Sequence, residues 1–194
     1  MAELEPLTGC VYGLLVDRSA RLHAAMLPAS TWGSNLRGIL TRAQWDHLRA
    51  TVCDAAGDRC EICRAEVWVD GRRRRPDCHE LWAFELEDDG RHVQRLVRLI
   101  ALCPDCHRTQ HVGHAVAEGE DDLVIRHLCK VNGWTHEQAI ADLDQAGDVH
   151  DELSCIDWDL DLSVLKSQVM FHGFAGLRVP AADRLRLGQS RWSC

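Results

Sequence analysis

The sequence predicts a mixed α+β fold: a β-hairpin followed by a helix, fastened by a four-cysteine metal site and wrapped by helical extensions at both ends. Three observations carry that expectation. Two C-x-x-C pairs, Cys60/Cys63 and Cys103/Cys106, stand 39 residues apart. Between them, strand candidates at Asp77 to about Glu87 and near His92–Leu96 flank an Asp89-Gly90 turn signal. Capped segments of helical periodicity lie before and after this block.

Taken in order, Val11–Val16 is a short apolar strand candidate, followed by the distinctive stretch TWGSNLR, Thr31–Arg37. Thr41 caps a helix from Arg42 to about Ala56, with Trp45, Leu48 and Val52 at helical spacing and Gly57 placed to end it. The CEIC knuckle follows, then Val67–Val69, an Asp70-Gly71 turn and four consecutive arginines, Arg72–Arg75. After the hairpin, Leu99–Leu102 leads to Cys103, and Pro104 occupies the first turn of a helix that carries His107 and His111 on one face and extends toward His114. Asp122–Val131 reads as a helix stopped by Asn132-Gly133. Thr135-x-x-Gln138 is a capping box for another helix that continues to about Ala146. Ile156–Leu162 alternates apolar and acidic residues, as an exposed strand or extended arm would. The organisation read from this is an N-terminal extension (1–56), a central module (57–114) and an acidic, mainly helical extension (115–194) with an Arg-rich tail.

Composition narrows the function classes. A 46% hydrophobic fraction excludes wholesale disorder. No stretch approaches the roughly 18 apolar residues that span a bilayer, and the opening Met1–Pro6 has no basic region ahead of an apolar run. The expectation is a cytoplasmic protein without a membrane partner. The net charge of −8 argues against an all-basic surface, but the charge is uneven. Residues 37–108 balance thirteen Arg against thirteen Asp/Glu, whereas 117–161 hold thirteen acids against Arg126 and Lys130. The acidic region is a candidate surface for a protein partner. The tail carries Arg178, Arg184, Arg186 and Arg191 against Asp183, and could follow a nucleic-acid backbone or pair with the acidic half.

In a reducing compartment, Cys60, Cys63, Cys103 and Cys106 are better read as four thiolate ligands of one structural Zn²⁺ than as disulfides. Cys10, Cys53, Cys78, Cys129, Cys155 and Cys194 are scattered and read as small packing residues. His107 and His111, one helical turn apart, can hold a second divalent cation, with His79 as a third ligand and Glu80 beside it. The bland alternative is a solvated histidine pair. Most of the seven tryptophans are expected in the core; for Trp32, core packing is the first expectation and stacking on a base the alternative, and Trp82 is expected to anchor the strand presenting His79.

Taken together, C60-E-I-C63, D77-C78-H79-E80-L81-W82 and L99-I100-A101-L102-C103-P104-D105-C106-H107-R108-T109-Q110-H111 resemble an HNH endonuclease of the zinc-stabilised, four-cysteine type, over about residues 57–114. The resemblance implies a ββα-metal (treble-clef-like) module. In it, a catalytic divalent ion (Mg²⁺, Mn²⁺, Ni²⁺ or Zn²⁺) is held by His79, His107 and His111, separate from the structural zinc. It further implies hydrolysis of DNA phosphodiesters, with RNA also open, by nicking or double-strand cleavage and in some cases as a homodimer. Two positions depart from the family pattern: Glu80 stands where the general-base histidine is usual, and Arg98 where many members carry Asn. Glu80 can serve as base if its pKa is raised. In an alternative register His79 is the base and Asp77 a ligand. Arg98 or Arg108 could clamp a phosphate oxygen, and Arg72, Arg73, Arg74 and Arg75 could contact the nucleic-acid backbone. Competing readings are a non-catalytic zinc module binding nucleic acid or protein, and an adaptor working through its acidic region.

Overall fold

The computed structural model describes residues 20–33, 35–167 and 178–184. The strand expected at Val11–Val16, Cys10, Cys194, Arg186 and Arg191 lie outside the described residues. The fold is a small β-sheet core surrounded by helices, with a buried metal-binding cluster. The elements run α1 (Leu36–Ile39), α2 (Arg42–Ala55), β1 (Val67–Val69), β2 (Arg72–Arg74), β3 (Asp77–Leu86), β4 (His92–Leu102), α3 (Pro104–Gln110), α4 (Val112–Ala117), α5 (Asp121–Asn132), α6 (His136–Ser154), β5 (Asp159–Asp161) and β6 (Arg178–Val179). Among the described residues no helix is long and apolar enough to cross a membrane.

Local chemistry explains most boundaries. Thr41 and Gln44 close a capping box on α2, and Thr135 and Gln138 do the same for α6. Gly133 ends α5 in the left-handed conformation at φ 72°, where any Cβ would be strained. α6 runs two turns beyond the expected end at Ala146, because Leu153 on its continuing face is buried.

The main sheet has the order β3-β4-β5-β6, with β3 at one edge. β3 and β4 form the expected antiparallel hairpin, but β4 is longer than expected and reaches Leu102 without a break. It contains a bulge: Leu81 pairs with Arg98 and Trp82 with Leu96, leaving Val97 as the extra residue. The bulge reverses which face the even-numbered residues of β4 occupy. Ile100 and Leu102 pack toward α5 and α6 in one cluster with Leu22, Val124 and Leu128. Leu96, beyond the bulge, joins Leu36, Trp45, Leu48 and Leu160 in a second cluster on the opposite side. Both faces of the strand pair are thus covered, and Trp82 anchors β3 in the second cluster.

One expectation is corrected here, and of the two roles open to the tail, Arg178 takes up pairing with the acidic half through Asp161. Ile156–Leu162 is not an exposed arm: β5 pairs parallel with β4, and Trp158, Leu160, Asp161 and Leu162 are all buried. Its buried acid is satisfied, since Asp161 accepts from Arg95, Arg178 and the Ser163 amide. The tail arginines within the described residues are structural. Arg178 pairs with Glu87 and Asp161, while buried Arg184 donates to the Gln94 side chain and the Trp158 carbonyl. Burial pushes the Arg184 guanidinium down to about 10.

Candidate metal centres

The first cluster is Cys60, Cys63, Cys103 and Cys106, whose sulfurs all lie within 4.8 Å of one another. Backbone bonding explains how the sequence brings the knuckles together. Cys60 N–H donates to Ala65 O, Glu61 N–H donates to Ala101 O, and the Glu61 carboxylate accepts the Ala101 amide, clipping the first knuckle to the end of β4. Cys103 is the N-cap of α3, its sulfur accepting from the Cys106 amide. Hydrogen bonds from Cys103 and Cys106 draw the Cys60 thiol well below its usual range, whereas hydrogen bonding to Cys103 and Cys60 pushes Cys106 up. Four converging sulfurs that cannot all ionise unaided fit a divalent, thiophilic cation. The sequence offers no spacing cue for one neighbour: His127 on α5 sits with Nε2 3.1 Å from Cys106 Sγ.

The second cluster is His79, His107 and His111, with ligand nitrogens again within 4.8 Å of one another. The rings meet edge to face, with centroids 4.8–5.2 Å apart. His79 is 5% exposed, and its Nδ1 is buried without a hydrogen-bond partner. A native structure seldom tolerates such an atom, and a cation would satisfy it, so the residues present fit a metal. His107 Nδ1 lies 3.1 Å from Asp77 Oδ2. Because a carboxylate only accepts, that nitrogen carries the proton and Nε2 is left as the ligand atom. The same bond holds the Asp77 carboxyl below its usual range. Asp77 therefore supports His107 and is not itself in the cluster.

His111 is placed differently from its expected position on one continuous helix. α3 stops at Gln110, and His111 adopts φ −125°, ψ 45° between α3 and α4. The incoming segment 22–27 fills this break: Ala25 N–H donates to Thr109 O, Val112 N–H to Ala25 O, and Gln110 Nε2 to His23 O. Asn132 and Asp142 fix that segment in turn, by bonds to Leu22 and to His23 and Ala24. A sequence pattern four residues long could not reveal a break made by a distant segment.

Burial first, then the nearby imidazoles His111 and His107, lowers the His79 pKa from 6.5 to about 3. Burial with His107 and His114 takes His111 to about 4. Both are neutral, ligand-ready bases near pH 7. Unfolded imidazoles take protons near 6.5 while these resist, so acid favours the unfolded chain. Without an added second cation, the urea midpoint should fall as pH drops from 6.5 to 5, and His111→Gln should reduce that slope. A midpoint constant across this window would contradict the burial of these rings.

Glu80 is not part of the histidine cluster. It lies on the α1–α2 side of edge strand β3, where Oε1 accepts from the Leu36 amide at 3.1 Å. Burial raises its pKa, against the Leu36 bond and the charges of His107 and Arg37. Glu80 and His111 nevertheless line one open cleft of about 560 Å³, shared with Asn35, His114 and Trp32.

The structure places the arginines unevenly. Arg98 is bonded to Glu61, and Arg108 to Asp105 and Glu120, so both are held by carboxylates. The four-arginine run is not a loop: Arg72–Arg74 form β2, paired with β1 in a separate ribbon. Arg73 lies near Glu66, and Arg75 pairs with Asp54 and Asp58. Among the described residues Arg72 and Arg74 have no ion-pair partner and are exposed. Sequence reasoning passed over Arg37, Arg42 and Arg49, which with Asp46 line a basic hollow beside α2.

The chain matches no protein-family model, no curated protein and no solved structure.

Proposed function

We propose that this chain is a metal-dependent endonuclease of the HNH type that hydrolyses DNA phosphodiester bonds. The observation that carries this reading is the convergence of His79, His107 and His111 around a buried, unpartnered imidazole nitrogen, beside a separate four-cysteine cluster. In this reading residues 57–114 are the catalytic module, 1–56 and 115–194 are extensions packed on it, and zinc at the cysteines is structural. A divalent cation at the histidines supplies Lewis-acid stabilisation of charge developing on the phosphate.

The chain's own residues do the rest. Asp77 fixes the tautomer and ring plane of His107. Segment 22–27 fixes His111. Glu80 takes the proton from the attacking water: burial has raised its pKa toward neutrality, and it faces the cleft shared with His111. Because Asp77 supports His107 and His79 belongs to the cluster, the register with His79 as ligand is favoured over the one with His79 as base. Arg37, close enough to lower the pKa of both Asp77 and Glu80, is the cation best placed to attract a phosphate.

Supercoiled plasmid incubated with desalted protein and Mg²⁺, Mn²⁺ or Ni²⁺ tests this directly. Nicking is expected to depend on the added metal, to vanish in His107→Ala, and to fall ~10²–10⁴-fold in Glu80→Gln. No nicking by the wild type with any of the three metals would overturn the reading. It would favour a non-catalytic metal module instead, an alternative supported by the carboxylate pairing of Arg98 and Arg108.

A further inference from the structure

Trp32 is not a core residue: its side chain is 67% exposed to solvent against the described residues. Tryptophan is usually well buried, so an indole left in the open needs a reason. The ring is open but held. Its Nε1–H donates to Leu27 O at 3.2 Å, and the same carbonyl accepts from Nδ1 of His150 on α6 at 2.9 Å. The two rings stand 6.4 Å apart at 37°. The edge of the indole is bonded, and a face is left for a partner. The backbone sets this presentation: Trp32 follows a short 3-10 turn, and Gly33 adopts φ 84°, closed to side-chain-bearing residues without strain. Trp32 also lines the cleft that contains Glu80 and His111. That cleft has a volume of about 560 Å³.

We infer that Trp32 is a stacking platform for an unpaired nucleobase adjacent to the phosphate presented to the histidine centre. The inference rests on the nuclease reading and deepens it by naming the substrate class. An unpaired base can offer its whole face to an indole, whereas a base inside a duplex is already stacked on both sides. The platform therefore selects single-stranded or locally opened DNA.

Binding of a fluorescein-labelled 12-nucleotide single strand and of the matching blunt duplex would be measured by anisotropy, without an added second cation. The proteins are the full-length wild type, Trp32→Ala, Trp32→Phe and Trp68→Ala. The last removes the other strongly exposed indole among the described residues, 60% exposed on the β1–β2 ribbon. Trp32→Ala is expected to weaken single-strand binding ~5- to 150-fold, the range of stacking on one aromatic side chain. Trp32→Phe should stay within a few fold of wild type, and duplex affinity should be unchanged. An equal loss on the duplex, a loss carried by Trp68→Ala instead, or no effect of Trp32→Ala would each overturn the inference. Failure of the nuclease reading is separable. Trp32-dependent binding of the single strand without metal-dependent cleavage keeps the platform and removes the enzyme. Cleavage of single strand and plasmid indifferent to Trp32→Ala keeps the enzyme and removes the platform.

Discussion

Replacing Cys60 by serine is expected to cost the protein its folded state. Cys60 is fully buried, and its cluster joins the first knuckle to β4 and α3 at the point where the larger core begins. A structural zinc contributes about 10–16 kcal/mol of apparent binding free energy, which becomes folding free energy when the site exists only in the native chain. Whole domains are stable by only about 5–15 kcal/mol. Removing one of four thiolates therefore takes away an amount comparable to the entire margin, and leaves three sulfurs crowded without their cation. The measurement is metal content per chain after gel filtration, together with a circular-dichroism melt. Wild type should retain one zinc and melt cooperatively; Cys60→Ser should hold no zinc and lose the transition or be recovered aggregated. Cys155→Ser, at an exposed free cysteine, controls for thiol loss and should match wild type. A Cys60→Ser protein that melts as wild type would show that the four sulfurs are a packing cluster and nothing more.

His79→Leu should move stability and activity in opposite directions. The buried Nδ1 has no partner, and leaving such a group unsatisfied costs about 1–3 kcal/mol. A leucine of similar volume removes the polar atom and adds apolar contact with Leu81 and Ile100, on whose side of the strand pair His79 lies. The variant should therefore unfold at higher urea than wild type when no second cation is added, by about 1 kcal/mol or more. Metal-dependent nicking should meanwhile fall to background, because two imidazoles remain where three converged. Added Mn²⁺ should raise the wild-type midpoint and leave the variant unmoved. A variant both less stable and still active would mean that His79 is an ordinary core histidine.

Much of the centre was legible because its parts are local. C-x-x-C spacing, a capping Thr with Gln three residues on, and Asp-Gly at a hairpin tip are chemical statements within four residues, and the knuckles, α2, α6 and the β3–β4 turn appear where those patterns place them. What escaped was non-local. The break at His111 is made by segment 22–27, and His127 reaches Cys106 from another helix. Ile156–Leu162 looked half-solvated by its alternation, but Asp159 and Asp161 are paired with Arg91 at the hairpin turn, Arg95 on β4 and Arg178 on β6, so polarity there did not mean exposure. For Trp32 the residue type favoured burial over the stacking alternative, and the fold left it outside. Residues whose environment contradicts their type are common where a protein binds something.

The extra residue Val97 has a meaning beyond packing. It divides the β3–β4 hairpin into two stretches with independent reading frames: a proximal half, Asp77–Leu81 with Arg98–Leu102, that carries His79, Glu80 and the approach to Cys103, and a distal half that ends at the Asp89-Gly90 tip. In a ribbon of unbroken register, a one-residue shift of one strand would turn His79 from one side of the sheet to the other, away from His107 and His111. The bulge offsets the two frames by one residue, so that Ile100 opposite His79 faces one core cluster while Leu96 faces the other. Deleting Val97 would merge the two frames and turn one half's buried face toward the wrong side.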